Sequence, residues 1–203
     1  WNRLPRPPAG VPHICDMSSE IGSRVLDWDN LDMLYAGCQK NLGVAGTVLV
    51  VIKNELLARS QAPTPFNYQE HALAGSRLNT PPTFGIVVLR RMLEWIQQHG
   101  GVQSMARRAQ QRAQLLYEAI ESTQGYWRAH ASTESRSVMN ITWHGPNPEA
   151  ESQFLSQAKA LGFSGLKGHR SVGGLRASVY NAADEAACEK LAELIQSSPR
   201  SSK

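Results

Sequence analysis

An α/β protein that ends in a smaller α+β layer is the fold that the sequence predicts, and three observations predict it. Residues 47–52 are apolar and β-branched almost without interruption, which is typical of a strand covered on both faces. Residues 84–99 carry apolar side chains at helical spacing. After about residue 96, amphipathic helical patterns alternate with short strand patterns. We therefore expect residues 1–95 to belong to a sheet domain and residues 96–203 to a smaller α+β domain.

The first half contains two further predicted strands before the strand at residues 47–52. Short apolar segments predict a buried strand at residues 11–15, which ends at Asp16, and another strand at residues 31–36. Helix-like turns are expected at residues 54–59, and the proline-containing stretch 63–82 is expected to be loop-rich. Together with the strand at residues 47–52, these two short segments form the predicted sheet.

The second half alternates helices with strands. The patterns predict helices at residues 102–122, 149–161 and from 185, and strands at 137–143 and 174–180. Asp184 is suited to cap the N-terminus of the last helix. In the middle helix, the spacing places Phe154 and Leu161 on the inward face, and Gly162 is suited to end it.

Composition limits the classes of protein that fit. The 203 residues carry 21 Lys+Arg and 17 Asp+Glu, a formal net charge of +4, and 41% are hydrophobic, which is a globular composition. No run of about 18 apolar residues occurs, so no membrane span is predicted. The mild positive charge, without a dense basic run, favours small anionic substrates over nucleic acids. Three scattered cysteines are too few for a disulfide framework or a zinc site, so we expect a reducing cytosol and no metal.

The stretch LDMLYAGCQKNLGVAGTVLV carries the most informative chemistry. Lys40 follows an apolar strand and a turn of small residues, and another apolar strand comes after it. Such a lysine is a candidate imine-forming amine, although a surface lysine in a loop is the commoner outcome. Asp16 ends an apolar strand, where ligands of α/β sheets bind; the alternative is a turn or cap residue. Pyridoxal phosphate needs both types, an amine for its aldehyde and a carboxylate that keeps its pyridine nitrogen protonated.

Five stretches then point to a family. They are DMSSEIGSR, YAGCQKNLGVAG, NTPPTF, RSVMN and KGHRSVGGLRASVYNA, in this order between Val11 and Leu194. They resemble the phosphoserine aminotransferases, within class V of the fold type I pyridoxal-phosphate enzymes. The resemblance implies the fold type I architecture. Residues 1–95 would be the C-terminal part of the large cofactor-binding domain, with part of its mixed sheet, and residues 96–203 the small domain.

The resemblance also assigns the cofactor residues. It implies that Lys40 forms the Schiff base with pyridoxal 5'-phosphate, that Asp16 pairs with the pyridine nitrogen, and that Gln39 contacts the cofactor phosphate. Asn79 and Thr80 would reach the phosphate of a cofactor bound in the partner subunit of a homodimer. The alternative for Asn79 and Thr80 is that they cap the following helix, and both roles are compatible.

The KGHR segment carries the substrate residues that the resemblance implies. Arg176 would bind the substrate α-carboxylate, while His169 and Arg170 would hold the substrate phosphate from the neighbouring subunit. Arginine suits both groups because its planar fork matches carboxylate and phosphate. Without the resemblance, His169 and Arg170 would be interpreted as a solvated loop pair.

The implied reaction moves an amino group from L-glutamate to 3-phosphohydroxypyruvate, giving O-phospho-L-serine and 2-oxoglutarate. This is a step of serine biosynthesis in the cytoplasm, and bacterial members also serve pyridoxine biosynthesis. The chain resembles a little over half of a typical member and lacks the glycine-rich phosphate turn and the ring-stacking aromatic. We therefore expect either that a companion chain supplies the rest or that the chain is a fragment.

Two other kinds of protein remain open at this stage. One is another class V enzyme, such as a serine–pyruvate or alanine–glyoxylate aminotransferase or a cysteine desulfurase. His169 and Arg170 together with Arg176 favour a substrate with both phosphate and carboxylate, and Cys38 is a small turn-filling residue without a base to activate it. The other is a truncated chain without catalysis that only dimerises.

Overall fold

The structure, a computed structural model, describes residues 7–200 of the chain and contains six strands and six α-helices in this range. The strands are β1 (Ile14–Asp16), β2 (Met33–Gly37), β3 (Val48–Ile52), β4 (Arg128–Ala129), β5 (Asn140–His144) and β6 (Leu175–Ser178). The helices are α1 (Asn54–Leu57), α2 (Tyr68–Leu73), α3 (Thr83–Gln98), α4 (Gly101–Glu121), α5 (Pro148–Ala160) and α6 (Glu185–Ser197). The described residues form two compact units, an N-terminal unit that ends at Met105 and a C-terminal unit that begins at Ala106.

The N-terminal unit is built on a mixed sheet of three strands in the order β1-β2-β3. β1 and β2 are parallel, with Asp16 beside Tyr35, and β2 and β3 are antiparallel, with Gly37 beside Val48. Because β1 and β2 are parallel, their C-terminal ends meet at one edge, where ligands of α/β proteins bind. The mixed sheet expected for residues 1–95 is therefore present.

Helix α3 packs closely on the turn between β2 and β3. Gly85 is buried on this helix, and a Cβ atom there would lie 2.1 Å from the Thr47 hydroxyl oxygen. A Cβ at Gly43 would contact the Val88 side chain at 3.4 Å. These glycines let the helix approach the segment that carries Lys40.

One detail of the predicted N-terminal unit is wrong. β3 is not covered on both faces, because Val48 is 62% exposed on one face and Val51 is 39% exposed on the other. The stretch 63–82 is loop-rich, as predicted, and it also contains helix α2. Asn67 caps this helix by accepting a hydrogen bond from the Gln69 amide at 2.9 Å. Six residues are too few to show helical periodicity in the sequence.

The C-terminal unit packs its helices against an antiparallel sheet of order β4-β5-β6. Its core contains large side chains that are almost fully buried, among them Leu116, Trp127, Ile141, Trp143, Phe154, Leu175 and Ile195. The ring of Phe154 meets those of Trp127 and Trp143 edge to face, with centroids 5.2 and 5.9 Å apart. Such pairs add stabilisation beyond the area that they bury.

The predicted helix ends of this unit are mostly confirmed. Asp184 caps α6 by accepting from the Ala186 amide at 3.1 Å, and Gly162 follows α5 with φ of +89°. Leu161 was expected inward but is 61% exposed, because α5 ends at Ala160 and Leu161 is its C-cap residue. No helix within residues 7–200 is both long enough and apolar enough to cross a membrane.

Candidate active site

Asp16 stands at the end of β1, and its carboxylate is held by the residue two positions later. Asp16 Oδ1 accepts hydrogen bonds from the Ser18 amide at 2.9 Å and from the Ser18 hydroxyl at 2.6 Å. These two bonds are the main causes that lower the pKa of Asp16, and the nearby positive charge of Lys40 and a hydrogen bond from Tyr35 lower it further. Asp16 is therefore an anion at neutral pH, and its side chain is exposed.

Lys40 lies in a turn that begins directly after β2. Buried Cys38 and Leu42 fix this turn, because the Cys38 amide donates to the Thr47 carbonyl and the Leu42 amide donates to the Cys38 carbonyl, each at 3.0 Å. Lys40 itself is exposed, and its Nζ donates a hydrogen bond to Ser19 Oγ at 2.8 Å. The backbone of the turn is thus anchored while the amine remains accessible.

Ser18 and Ser19 connect the segment after β1 with the segment after β2. Ser18 Oγ accepts from the Gly37 amide at 3.0 Å, and the Ser19 carbonyl accepts from the buried Asn41 side chain at 3.3 Å. No role of either serine is among the predictions from the sequence. A hydroxyl two residues after a strand-ending aspartate is a local signal that could have identified Ser18, because such residues form Asx turns.

Gln39 is exposed beside Lys40, and its side chain folds back over Gly37. A Cβ atom at position 37 would lie 2.6 Å from Gln39 Oε1, so only glycine leaves this conformation free. The Gln39 amide therefore lies at the same edge of the sheet as Asp16 and Lys40, within the N-terminal unit.

Asn79 and Thr80 are exposed in the segment that leads into α3. The alternative in which they cap this helix is wrong, since α3 begins at Thr83 and its N-cap residue is Pro82, which makes no side-chain cap bond. Their amide and hydroxyl groups remain available as neutral donors for a ligand such as phosphate.

His169 and Arg170 lie at the exposed end of a tight loop in the C-terminal unit. The Gly168 amide donates to the Gly174 carbonyl at 2.8 Å and closes this loop. A Cβ at Gly168 would lie 1.9 Å from the Gly173 carbonyl oxygen, and a Cβ at Gly174, where φ is +66°, would lie 2.6 Å from the Trp143 carbonyl oxygen. Glycine at both positions is therefore required to present His169 and Arg170 in this way.

Arg176 follows the loop on β6, where it pairs with Thr142 of β5. Its backbone amide donates to the Leu166 carbonyl at 2.8 Å, and the residue is half-buried. The Arg176 Nε atom is enclosed and has no hydrogen-bond partner among the described residues. Because the enclosed Nε cannot be reached by a ligand, an incoming carboxylate would have to bind the terminal N–H groups of the guanidinium, whose fork geometry suits it.

The predicted site residues thus fall into separate groups. Asp16, Gln39 and Lys40 come together at one sheet edge of the N-terminal unit. In the C-terminal unit, His169 and Arg170 lie in one loop, and the strand that carries Arg176 follows this loop. In the N-terminal unit, Asn79 and Thr80 precede α3. The first group fits pyridoxal phosphate, because it combines an accessible amine with an anionic carboxylate whose pKa is lowered.

Comparison with known proteins shows the family to which the chain belongs. The sequence profile of the family described as Aminotransferase class-V matches residues 6–191. The chain belongs to the class-V aminotransferases.

Within this family, the chain is similar to phosphoserine aminotransferases. It is 48% identical to that of Halalkalibacterium halodurans over 199 residues, which are 97% of this chain and 55% of the relative. The solved phosphoserine aminotransferase of Bacillus circulans subsp. alkalophilus matches with a TM-score of 0.94 and 40% identity, over 100% of this chain and 56% of that one.

A third similar protein has a cofactor in its structure. The phosphoserine aminotransferase of Trichomonas vaginalis, solved with bound pyridoxal phosphate, matches with a TM-score of 0.87 and 32% identity, over 94% of this chain and 55% of that one. The chain spans about half the length of the curated relatives that it matches. The mixed sheet and helices of the N-terminal unit therefore represent part of the class-V aminotransferase fold.

Proposed function

We propose that the protein acts in phosphoserine transamination, moving an amino group between L-glutamate and 3-phosphohydroxypyruvate to give O-phospho-L-serine and 2-oxoglutarate. The observation that carries the proposal is the placement of Asp16 and Lys40 at one sheet edge in a chain 48% identical to a phosphoserine aminotransferase. We place the reaction in cytoplasmic serine biosynthesis, with a second use in pyridoxine biosynthesis. In this proposal residues 1–95 belong to the large cofactor-binding domain and residues 96–203 to the small domain.

The chemistry at the sheet edge depends on the charges of two side chains. Pyridoxal phosphate, when bound, supplies an electron sink for reactions at the substrate Cα. Asp16, an anion, holds a proton on the pyridine nitrogen. Lys40 would hold the cofactor through its aldehyde group, and its amine, when free, would move a proton at the substrate Cα. Gln39, Asn79 and Thr80 would bind the cofactor phosphate.

Substrate recognition in the proposal divides between two arginines. Arg176 binds the α-carboxylate that glutamate and phosphoserine share, because the planar fork of its guanidinium matches a carboxylate. His169 and Arg170 bind the phosphate, which only phosphoserine carries. The loop closed by the Gly168–Gly174 hydrogen bond fixes the backbone that presents both side chains.

Single-turnover kinetics of the two half-reactions test this division in the protein loaded with pyridoxal phosphate. Arg170→Ala should slow the phosphoserine half-reaction by about tenfold to a hundredfold and spare the glutamate half-reaction, because one charge-assisted contact is lost. Arg176→Ala should slow both, and Arg176→Lys should restore little. Arg107→Ala, at an exposed position on α4, is the matched control. Equal losses for both substrates in Arg170→Ala would contradict phosphate recognition and favour a different class-V aminotransferase.

We also propose a homodimer whose sites are shared between subunits. Large apolar side chains are exposed on α3, which follows Asn79 and Thr80 in the chain, and in the segment before it, among them Phe66, Leu73, Phe84, Ile86 and Val87. Exposed apolar surface of this kind is typical of a face that a second copy covers.

Mixing two inactive variants tests the shared site. Lys40→Ala lacks the amine, and the double variant Asn79→Ala/Thr80→Ala lacks the donors that are proposed to act in the partner. Mixed dimers would contain one site with both halves intact and should recover part of the activity. A protein that is active as a monomer by light scattering would contradict the proposal.

A further inference from the structure

We propose that Ser18 and Ser19 are positioning residues of the cofactor site, Ser18 for the Asp16 carboxylate and Ser19 for the Lys40 amine. The inference rests on the proposed function, since it assigns neighbouring serines to the two groups that would act on the cofactor. Its structural basis is separate, because the contacts of both serines are made within the chain itself.

The direction of the Ser18 hydroxyl is fixed by its two partners. The Gly37 amide can only donate, so Ser18 Oγ must accept from it, at 3.0 Å. The single hydroxyl proton is then left for Asp16 Oδ1, which lies 2.6 Å away. One side chain thus joins the carboxylate to the end of β2, three residues before Lys40.

Ser18 therefore acts on both the orientation and the charge of Asp16. Its amide and hydroxyl bind the same oxygen, Oδ1, which fixes the carboxylate relative to the strand end. The hydroxyl bond is also the largest cause that lowers the pKa of Asp16, ahead of the charge of Lys40 and the bond from Tyr35. An Asp16 that stays anionic is the form that can hold a proton on a pyridine nitrogen.

Ser19 receives the amine of Lys40. A lysine ammonium has only donors, so Ser19 Oγ accepts in the 2.8 Å hydrogen bond. The Ser19 carbonyl is itself held by the buried Asn41 side chain, the residue next to Lys40. When Lys40 is released during the proposed reaction, Ser19 gives the amine a defined position close to the site.

If the two serines had a purely structural role, their removal would have different effects on stability and on the titration of Asp16. The turn after Asp16 is also closed by backbone bonds, in which the Glu20 and Ile21 amides donate to the Met17 carbonyl at 2.9 and 2.7 Å. If Ser18 only completed this turn, its removal would lower stability and leave the titration of Asp16 unchanged. The two serines can be separated experimentally because each variant is a control for the other.

Titration of the cofactor-free protein tests Ser18. Carbon-13 NMR of aspartate side chains follows the midpoint of Asp16 against pH, and the Asp16→Asn spectrum identifies its signal. We expect the midpoint to rise in Ser18→Ala, to stay unchanged in Ser19→Ala, and to return towards wild type in Ser18→Thr. An unchanged midpoint in Ser18→Ala would overturn the inference. If Ser18→Ala does not fold, Ser18→Cys, which keeps a side chain of similar shape with a weaker donor, carries the same test.

The loaded protein tests the roles in the reaction. With cofactor labelled at the pyridine nitrogen, the pH dependence of the nitrogen-15 shift should change in Ser18→Ala but not in Ser19→Ala, because Ser18 sets the position and the charge of the carboxylate that would face this nitrogen. Ser19→Ala should instead slow single turnover with L-glutamate by about tenfold without changing that shift. Equal behaviour of the two variants would overturn the division of roles. Failure of the wild-type protein to bind the cofactor through Lys40 would contradict the proposed function, while the cofactor-free titration would still decide the contact of Ser18.

Discussion

The two units differ in how completely their own residues cover their apolar side chains. In the C-terminal unit, the faces of the helices and the sheet close over one core of aromatic and aliphatic side chains. In the N-terminal unit, strands β1 and β3 and helices α2 and α3 keep large apolar side chains exposed. Of the sixteen large hydrophobic residues that are exposed within residues 7–200, only Leu161 and Val172 lie in the C-terminal unit.

The difference shows which unit has its apolar side chains covered by residues of this chain alone. The C-terminal unit has the packing of a self-sufficient core, so its stability should follow from the contacts described above. The N-terminal unit carries Asp16 and Lys40, and its exposed apolar faces are suited to contact with further polypeptide. The residues proposed to bind the cofactor therefore lie in the unit that covers its apolar side chains less completely.

The largest expected effect is on the free energy of unfolding, when one phenylalanine in each unit is truncated to alanine. Phe154 is 1% exposed between Trp127 and Trp143, whereas Phe84 is 73% exposed on α3. Phe154→Ala should lower the free energy of unfolding by about 3–5 kcal/mol at every protein concentration, and Phe84→Ala should change it by less than about 0.5 kcal/mol at concentrations low enough for the protein to be monomeric. Urea unfolding of both variants measures the two values.

A loss of several kcal/mol in Phe84→Ala at such low concentrations would break the comparison, because it would mean that residues of this chain cover α3 in solution. The dimer proposal instead predicts a loss that appears only at higher protein concentrations, since a face covered by a second copy is exposed on dilution. Repeating the unfolding at different protein concentrations therefore shows whether a second copy is the cover.

A pair of glycines gives an intermediate effect inside the C-terminal unit. Gly165 and Gly174 both have positive φ, +72° and +66°, but a Cβ at Gly165 meets nothing within 4 Å while one at Gly174 meets the Trp143 backbone at 2.6 Å. Gly165→Ala should cost about 1–2 kcal/mol for the left-handed conformation. Gly174→Ala should cost more and should also weaken the phosphoserine half-reaction, because it displaces the loop of His169. Equal unfolding free energies would contradict the close approach at Gly174.

The smallest expected effect is the pH dependence that Asp16 contributes. The pKa of Asp16 is lowered in the folded protein, first by the Ser18 hydroxyl, so its ionised form stabilises the fold above the unfolded pKa. This contribution is lost as the pH falls through the folded pKa. The difference in unfolding free energy between wild type and Asp16→Asn should therefore shrink from about pH 6 to about pH 3. It should be small because Asp16 is exposed, and a difference that grows on acidification would have the wrong sign.

The sequence predicts most of the fold where patterns are long. Helix α4 spans 21 residues and buries Met105, Ala109, Leu116 and Ile120, which are the residues that its periodicity places on one face. The cap at Asp184 follows from residue type alone. Helix α2 and the exposure of β3 could not be predicted, since the first is too short for periodicity and the second depends on which strands are neighbours.

The residues of the candidate site likewise include some that the sequence predicts and some that it does not. Lys40 and Asp16 could be proposed from their positions after apolar strands, because strand ends at the carboxyl edge of a sheet lie close together. The Asx turn of Ser18 on Asp16 has a local signal, but the contact of Ser18 with Gly37 and those of Ser19 and its backbone with Lys40 and Asn41 could not be predicted, because these partners lie 19 to 22 residues away in the chain. The unpaired Nε atom of Arg176 likewise depends on packing that no local pattern shows.

The most direct test of the account is the identity of the lysine that binds the cofactor. Borohydride reduction of the protein loaded with pyridoxal phosphate, followed by peptide mapping, should label Lys40 and leave Lys53 and Lys167 unlabelled. Lys53 is the matched control in the N-terminal unit, because its Nζ is paired with Asp32 at 3.1 Å. Lys40→Ala should remove the label. A label at Lys53 or Lys167, or one that persists in Lys40→Ala, would contradict the assignment of Lys40.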